Sequence, residues 1–447
     1  MKKMKWARRV GAPILGLSLL APTVGLAAEE PTVVTPASDL RATLDQLLSE
    51  HYILAVNAMV KDYNDAKDEK EAYEALDQNA RDMTPAIESV YGTEGAKMFE
   101  EIFVNHNEYS DDFVEAAQNN DEEARKAAEE EVKEFVEEFS TFLSTATEGN
   151  LPKEAAAEVL TAHEMDVIEA FDQYVEKDYE GYFTSFREGY DRMYDISKAL
   201  SGAIVAQMPE KFENIKVDSA ASELRSALNN VVAEHFAAAV MSMQAGVMEA
   251  PEYDAATWTE DMNTEDFTAA MESIYGTEGA EQFKKLWESD HINAQAELVS
   301  ATLAGDAAAD KEARESLSMF TQEFGMFLAT ATEGNLPEDA AVSSLRTHED
   351  QVLQAFDSYV AEDYKMSTET FREGYAFMFG VGQALGDAIV KQMPDKFSDS
   401  KMPTEMPSTG MGGTADQGFE FEVWMAFVAV MVLASGVVVR KKLSKQE

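Results

Sequence analysis

Apolar residues along this chain recur at three- and four-residue spacing through long windows and hardly ever alternate, which is the signature of amphipathic helices rather than half-buried strands. In the first half the periodicity predicts helices over 38–65, 71–90, 94–119, 122–147, 153–178 and 182–207, segments rich in Ala, Glu, Lys, Leu and Met. Their interruptions fall at Gly, Asn and Pro. Gly149-Asn150 and Gly334-Asn335 supply turns, and Pro152 and Pro337 follow where a helix would start. Helices that each carry one apolar stripe must bury it against one another, so the pattern predicts an all-α fold of antiparallel bundles.

The pattern is written twice. YGTEGA stands at 91–96 and 275–280, TATEGNLP at 145–152 and 330–337, FREGY at 186–190 and 371–375, and QMP(E/D)KF at 207–212 and 392–397. TAHEMDVIEAFDQYVEKDY (161–179) and RTHEDQVLQAFDSYVAEDY (346–364) share 10 of 19 positions. The period of 184 to 185 residues is that of a duplicated domain and too long for a solenoid. Two tandem helical bundles follow, 37–213 and 221–398, each expected to fold as a unit and to touch the other across a short joint. The drift of one residue between the His51/His235 and His106/His291 pairs places an insertion in an intervening loop.

All six histidines fall at matched places: His51, His106 and His163, then His235, His291 and His348. Each lies in an apolar stripe, as in Leu44, Leu47, Leu48, His51 and Ala55, or Phe99, Ile102, Phe103, His106, Tyr109 and Phe113. The three of each copy sit near the midpoints of their expected helices and could meet in one layer. A buried imidazole needs partners, because an unpaired polar group costs about 1–3 kcal/mol. Two readings satisfy that need. One is a polar network with Glu50, Glu164, Asp82 and Tyr109. The other is a metal site for copper, zinc or iron with three imidazoles and a fourth ligand, Glu138 in the first copy and Glu323 in the second; haem would need a larger cavity. Glu50/Glu234 and Glu164/Glu349 adjoin the histidines but point about 100° away, which suits a supporting role. Met193/Met378 could be a soft ligand or core, and Arg187/Arg372, Asp172/Asp357 and Asp178/Asp363 read as charge pairs near helix ends.

Composition narrows the chemistry further. The 447 residues contain no cysteine, which excludes disulfides, thiolate metal sites and cysteine nucleophiles. With 36 basic and 84 acidic residues the net charge is -48, which disfavours nucleic acid as a partner. The diiron pattern of Glu with Glu-x-x-His is not met, and G-x-S-x-G, the P-loop and the dinucleotide fingerprint are missing. No recognisable catalytic set supports an enzyme.

The two ends carry export signals. Residues 1–27 have a basic start, a short apolar run and small residues near Ala27, the form of a signal peptide. Its removal takes five cations (Lys2, Lys3, Lys5, Arg8, Arg9) and moves the charge from -48 to -53. Residues 399–422 read as a linker. The uncharged 17-residue run 423–439 could form a transmembrane helix of about 25 Å, followed by a basic tail at 440–447 that would face the cytoplasm. Met406, Pro407, Ser408, Thr409 and Gly410 resemble the Leu-Pro-x-Thr-Gly pentapeptide of a sortase cell-wall sorting signal, with Met406 in place of Leu. That resemblance implies sortase and peptidoglycan as partners at the cell envelope, and a protein on the extracellular face of a Gram-positive cell, attached to the wall or held in the membrane.

The repeated YGTEGA, AFDxYVxxDY, FREGY and QMPxKF segments resemble a group of exported helical repeat proteins of Gram-positive bacilli, some labelled "copper amine oxidase". The resemblance covers about four fifths of the chain and implies copper binding. Copper amine oxidases proper are β-rich and form their quinone in an Asn-Tyr-(Asp/Glu) context that is lacking here. The expected protein is thus a surface-anchored helical one that binds a metal or another external component, with a cofactor-free structural or adhesive wall protein and a surface haem or metal carrier as alternatives.

Overall fold

Each copy opens on a helix with strong start signals. Thr35 caps α1 (Pro36–Tyr63): its hydroxyl accepts from the Ser38 amide while the Ser38 hydroxyl accepts from the Thr35 amide, and Pro36 fills the first turn, where no amide partner is needed. The computed structural model describes residues 30–398, and the rest of the first copy is α2 (Glu69–Asn105), α3 (Glu108–Asn119), α4 (Glu122–Ala146), α5 (Lys153–Glu176) and α6 (Tyr179–Gln207). The second copy repeats the order as α7 (Ala220–Val247), α8 (Tyr253–Trp287), α9 (Asn293–Ala304), α10 (Ala307–Ala331), α11 (Glu338–Val360) and α12 (Tyr364–Gln392). The fold is all-α, with no strand among the described residues.

The repeated motifs are structural. In YGTEGA, Gly92 and Gly276 stand at φ 72° and 74° inside α2 and α8, a conformation that kinks each helix and suits glycine alone. The adjoining Tyr91 and Tyr275 hydroxyls donate to Gln207 and Gln392 of the QMP segments, at 3.0 and 3.1 Å. In TATEGNLP the Thr147 and Thr332 hydroxyls accept from the amides of Leu151 and Leu336, closing the loop before α5 and α11. Asp178 and Asp363, expected in charge pairs, cap α6 and α12 instead. Asp172 and Asp357 do pair, with Arg125 and Arg314.

α1 and α7 are buried on nearly every face, because each packs on its own bundle on one side and on the other copy on the opposite side. Arg187 of α6 donates to Glu234 at 2.7 and 3.1 Å and to Asp266 at 2.5 Å. Arg372 of α12 returns the same contacts to Glu50, at 2.8 and 3.1 Å, and to Asp82, at 2.9 Å. Arg41 pairs with Glu223 while Arg225 pairs with Asp39. Tyr190 and Tyr375, matched residues of the FREGY motifs, meet hydroxyl to hydroxyl at 3.4 Å. Such reciprocity means that the copies are related by an approximate twofold axis passing near these two tyrosines. Arg187 and Arg372, read from sequence as helix-end charges, are therefore the bonds between copies.

The membrane reading requires correction. No helix among the described residues is long and apolar enough to cross a membrane, so the structure gives no membrane or membrane-anchored description of the protein. The segments on which the export reading was placed, 1–27, 399–422 with Met406–Gly410, 423–439 and 440–447, lie outside the described residues.

Candidate metal centre

The histidines come from three places in each copy. His51 and His235 lie in the middle of α1 and α7, and His163 and His348 in α5 and α11. The third does not lie at the centre of a helix as expected. His106 occupies the break between α2 and α3, and His291 a π-helical turn, Glu288–Ile292, between α8 and α9. The cause is visible in the spacing: Phe103 precedes His106 by three residues, whereas its counterpart Trp287 precedes His291 by four. The extra residue of the second copy is absorbed in the helix as a wide turn, not in a loop, and His291 still faces inward.

The clusters are tight. Nε2 of His51 and His106 are 3.1 Å apart, and Nε2 of His235 and His291 are 3.0 Å apart. Two nitrogens bound to one tetrahedral ion at 2.0–2.1 Å stand about 3.3 Å apart. In the second copy one ligand atom from each of His235, His291 and His348 lies within 4.8 Å of the others. In the first, the His51 ring centre is 4.9 Å from that of His106 and 5.9 Å from that of His163. His106 and His291 stack on Phe135 and Phe320, at 4.6 and 4.5 Å, which fixes their ring planes.

Nδ1 of His106 faces the Phe103 carbonyl; with the proton on that nitrogen, the Nε2 lone pair is aimed at the cluster. Nδ1 of His291 instead has a Glu349 carboxylate oxygen at 3.0 Å. Burial is the first cause that holds His51 and His235 well below the usual histidine range, with neighbouring imidazoles adding to it. Burial likewise depresses His106 and His348 to about 4 and His163 to about 3. These rings are neutral at pH 7, the form that binds a metal. The Glu164 carboxyl is pushed up to about 7 by burial, partly offset by Tyr109. At its counterpart Glu349, burial also raises, but attraction from His291 and His348 outweighs it and the carboxyl lies lower than usual.

Two expectations about carboxylates are reversed. Glu138 and Glu323 are exposed, because the inward stripe of α4 runs through Val132, Phe135, Val136 and Phe139 and that of α10 through Leu317, Phe320 and Phe324. Neither is in place to be a fourth ligand. Glu164 and Glu349, 3% and 4% exposed, enter the clusters: Glu164 comes within 3.8 Å of His163 Nε2 and Glu349 within 4.0 Å of His348 Nε2. A helix packed on several sides buries two adjacent positions, so a turn of 100° does not remove a side chain from the core. Glu50 and Glu234 are committed elsewhere, to Arg372 with Asn79 and to Arg187 with Asn263. Met193, with its sulfur in the core, lines an apolar cavity of about 50 Å³ that also reaches His51, His106 and His163.

No family model, no curated protein and no solved structure matches this chain. The chemistry of the clusters accordingly rests on their own geometry: buried imidazoles that converge, with several ring nitrogens left unpaired.

Proposed function

We propose that this is a metal-binding helical protein that holds one transition-metal ion in each copy. The observation that carries the reading is the convergence of His235, His291 and His348, fully buried, with ligand atoms within 4.8 Å of one another. A purely polar network would have to satisfy its members, yet Nδ1 of His51 and His163 and both ring nitrogens of His348 have no hydrogen-bond partner. Three imidazoles with a carboxylate nearby suit zinc, copper or iron and not the oxygen-seeking calcium or magnesium. The 50 Å³ cavity beside the first cluster is far smaller than a porphyrin, which favours a bare ion over haem.

Elemental analysis and a titration of the protein after chelator treatment test the reading. Up to two ions per chain are expected. His106→Ala should halve the capacity and leave the helical circular dichroism signal, since the second copy keeps its ligands. Free metal at a hundredfold excess over the dissociation constant should stabilise the fold by about 2.7 kcal/mol for each site filled. Absence of stoichiometric metal, with no rise in melting temperature on its addition, would sink the proposal and return the clusters to a polar network.

A further inference from the structure

The two clusters differ beyond the histidines. After His106 the first copy continues with Asn107, Tyr109 and Ser110; allowing for the extra residue of the π-helical turn, the second copy has Ile292, Ala294 and Gln295 at those places. Asn107, Tyr109 and Ser110 line, with Glu164 and the three imidazoles, a cavity of about 10 Å³. That is room for one water or one ion. Tyr109 is 7% exposed, its ring stands edge-on to His106 at 6.0 Å, and its hydroxyl faces the Glu164 carboxyl without closing a hydrogen bond of ordinary length. Of the other residues that line the cavity, Glu164 Oε1 and Nδ1 of His51 and His163 have no hydrogen-bond partner. A buried phenol normally finds an acceptor. Here several unpaired donor atoms of the kinds that ligate metals surround a space of ionic size.

We propose that Tyr109 is a metal ligand present in the first copy alone, so that the two sites take different ions. With Tyr109 as phenolate and Glu164 as carboxylate, the first site presents two anionic oxygens beside its imidazoles, a hard set that fits ferric iron. Two negative charges against a trivalent ion leave the buried site with a net charge of one. The second site, with Ala294 in place of the phenol and Glu349 as its carboxylate, reaches the same balance with a divalent ion. A low-dielectric interior makes that charge balance matter. This inference deepens the metal-binding reading and rests on it.

The test is the colour of the iron-loaded protein. Loaded with ferric nitrilotriacetate, the protein should show a visible phenolate-to-iron charge-transfer band, and Raman excitation within the band should return tyrosinate ring modes. His348→Ala, which disables the second site, should keep the band, and His163→Ala should lose it. Tyr109→Phe should abolish the band and still bind zinc in the first site, measured in the His348→Ala background. Colourless binding of ferric iron, uptake of zinc without ferric iron, or a band that survives Tyr109→Phe would each overturn this inference and leave the metal-binding reading standing. Failure to bind any of these ions would overturn both.

Discussion

Burial pushes the Glu260 carboxyl up to about 8, against a hydrogen bond from Ser242 that works to lower it. Its counterparts in the first copy are Leu76 and Ala58, so the second copy alone carries this cost. The sign follows from proton binding. Between the ordinary value of 4.5 and about 8 the native state holds a proton that the unfolded chain has released, so stability falls as pH rises through that window, by about 1.4 kcal/mol per unit. Glu260→Gln removes the titration. Urea unfolding should therefore find variant and wild type close near pH 4.5, and the variant more stable by several kcal/mol at pH 8; parallel curves would show that the carboxyl is not buried as described. At the same scale, the histidines were legible because Leu44, Leu47, Leu48 and His51 form one stripe. Glu138 was misjudged for a reason equally present in the sequence: it stands one position before Phe139 and hence off the stripe of α4. The polar-network reading groups Tyr109 with Glu164, but it also counts Glu50 and Asp82, and both of those are held by Arg372 of the other copy, a partner that leaves no local signal.

Helix against helix, the FREGY glycines make two of the closest approaches. Gly189 of α6 lies against the Tyr52 ring of α1, and Gly374 of α12 against the Phe236 ring of α7. Both glycines sit inside helices, where the residue is unfavourable by itself, and the ring contact explains why it is kept. A Cβ at Gly374 would overlap Phe236, so Gly374→Ala should destabilise the protein by about 1–3 kcal/mol, despite the gain in helix propensity, as read from urea midpoints. A variant as stable as wild type would mean that the helices can separate freely. The number and limits of the helices were largely legible from Gly, Asn and Pro. The π-helical turn at Glu288–Ile292 was not: the sequence revealed an extra residue, but a helix can absorb one residue as a wide turn only where neighbours hold both flanks, and Trp287 and His291 do so here by packing against Phe320.

Across the whole molecule, a net charge of -48 leaves cations scarce, yet the arginines Arg41, Arg187, Arg225 and Arg372, with Lys67 and Lys198, are spent between the copies. The sequence contained these arginines in matched pairs but could not say which carboxylates they meet, because partners 47 and 322 residues apart leave no local signal. Glu50 and Glu234, held by those arginines, immediately precede His51 and His235, so each histidine cluster stands on a helix anchored by the other copy. The reciprocal bonds of the junction have both of their halves in each copy, Arg187 with Glu50 and Asp82, Arg41 with Asp39, and Tyr190 for its own image, whereas bonds such as Ser49 to Tyr375 and Ser226 to Asp45 have no counterpart. The chain is, in effect, a homodimer whose subunits have been tethered, and a subunit released from the tether should find itself. Residues 30–216 made alone are expected to elute as a dimer, and Arg187→Ala in that half-chain to elute as a monomer. A half-chain that is folded yet monomeric from the start would mean that the two copies have grown complementary to each other and no longer to themselves. The tether also freed the two sites to diverge. In a true homodimer a tyrosine gained beside one cluster appears beside both, whereas here Tyr109 could arise facing one cluster while Ala294 faces the other.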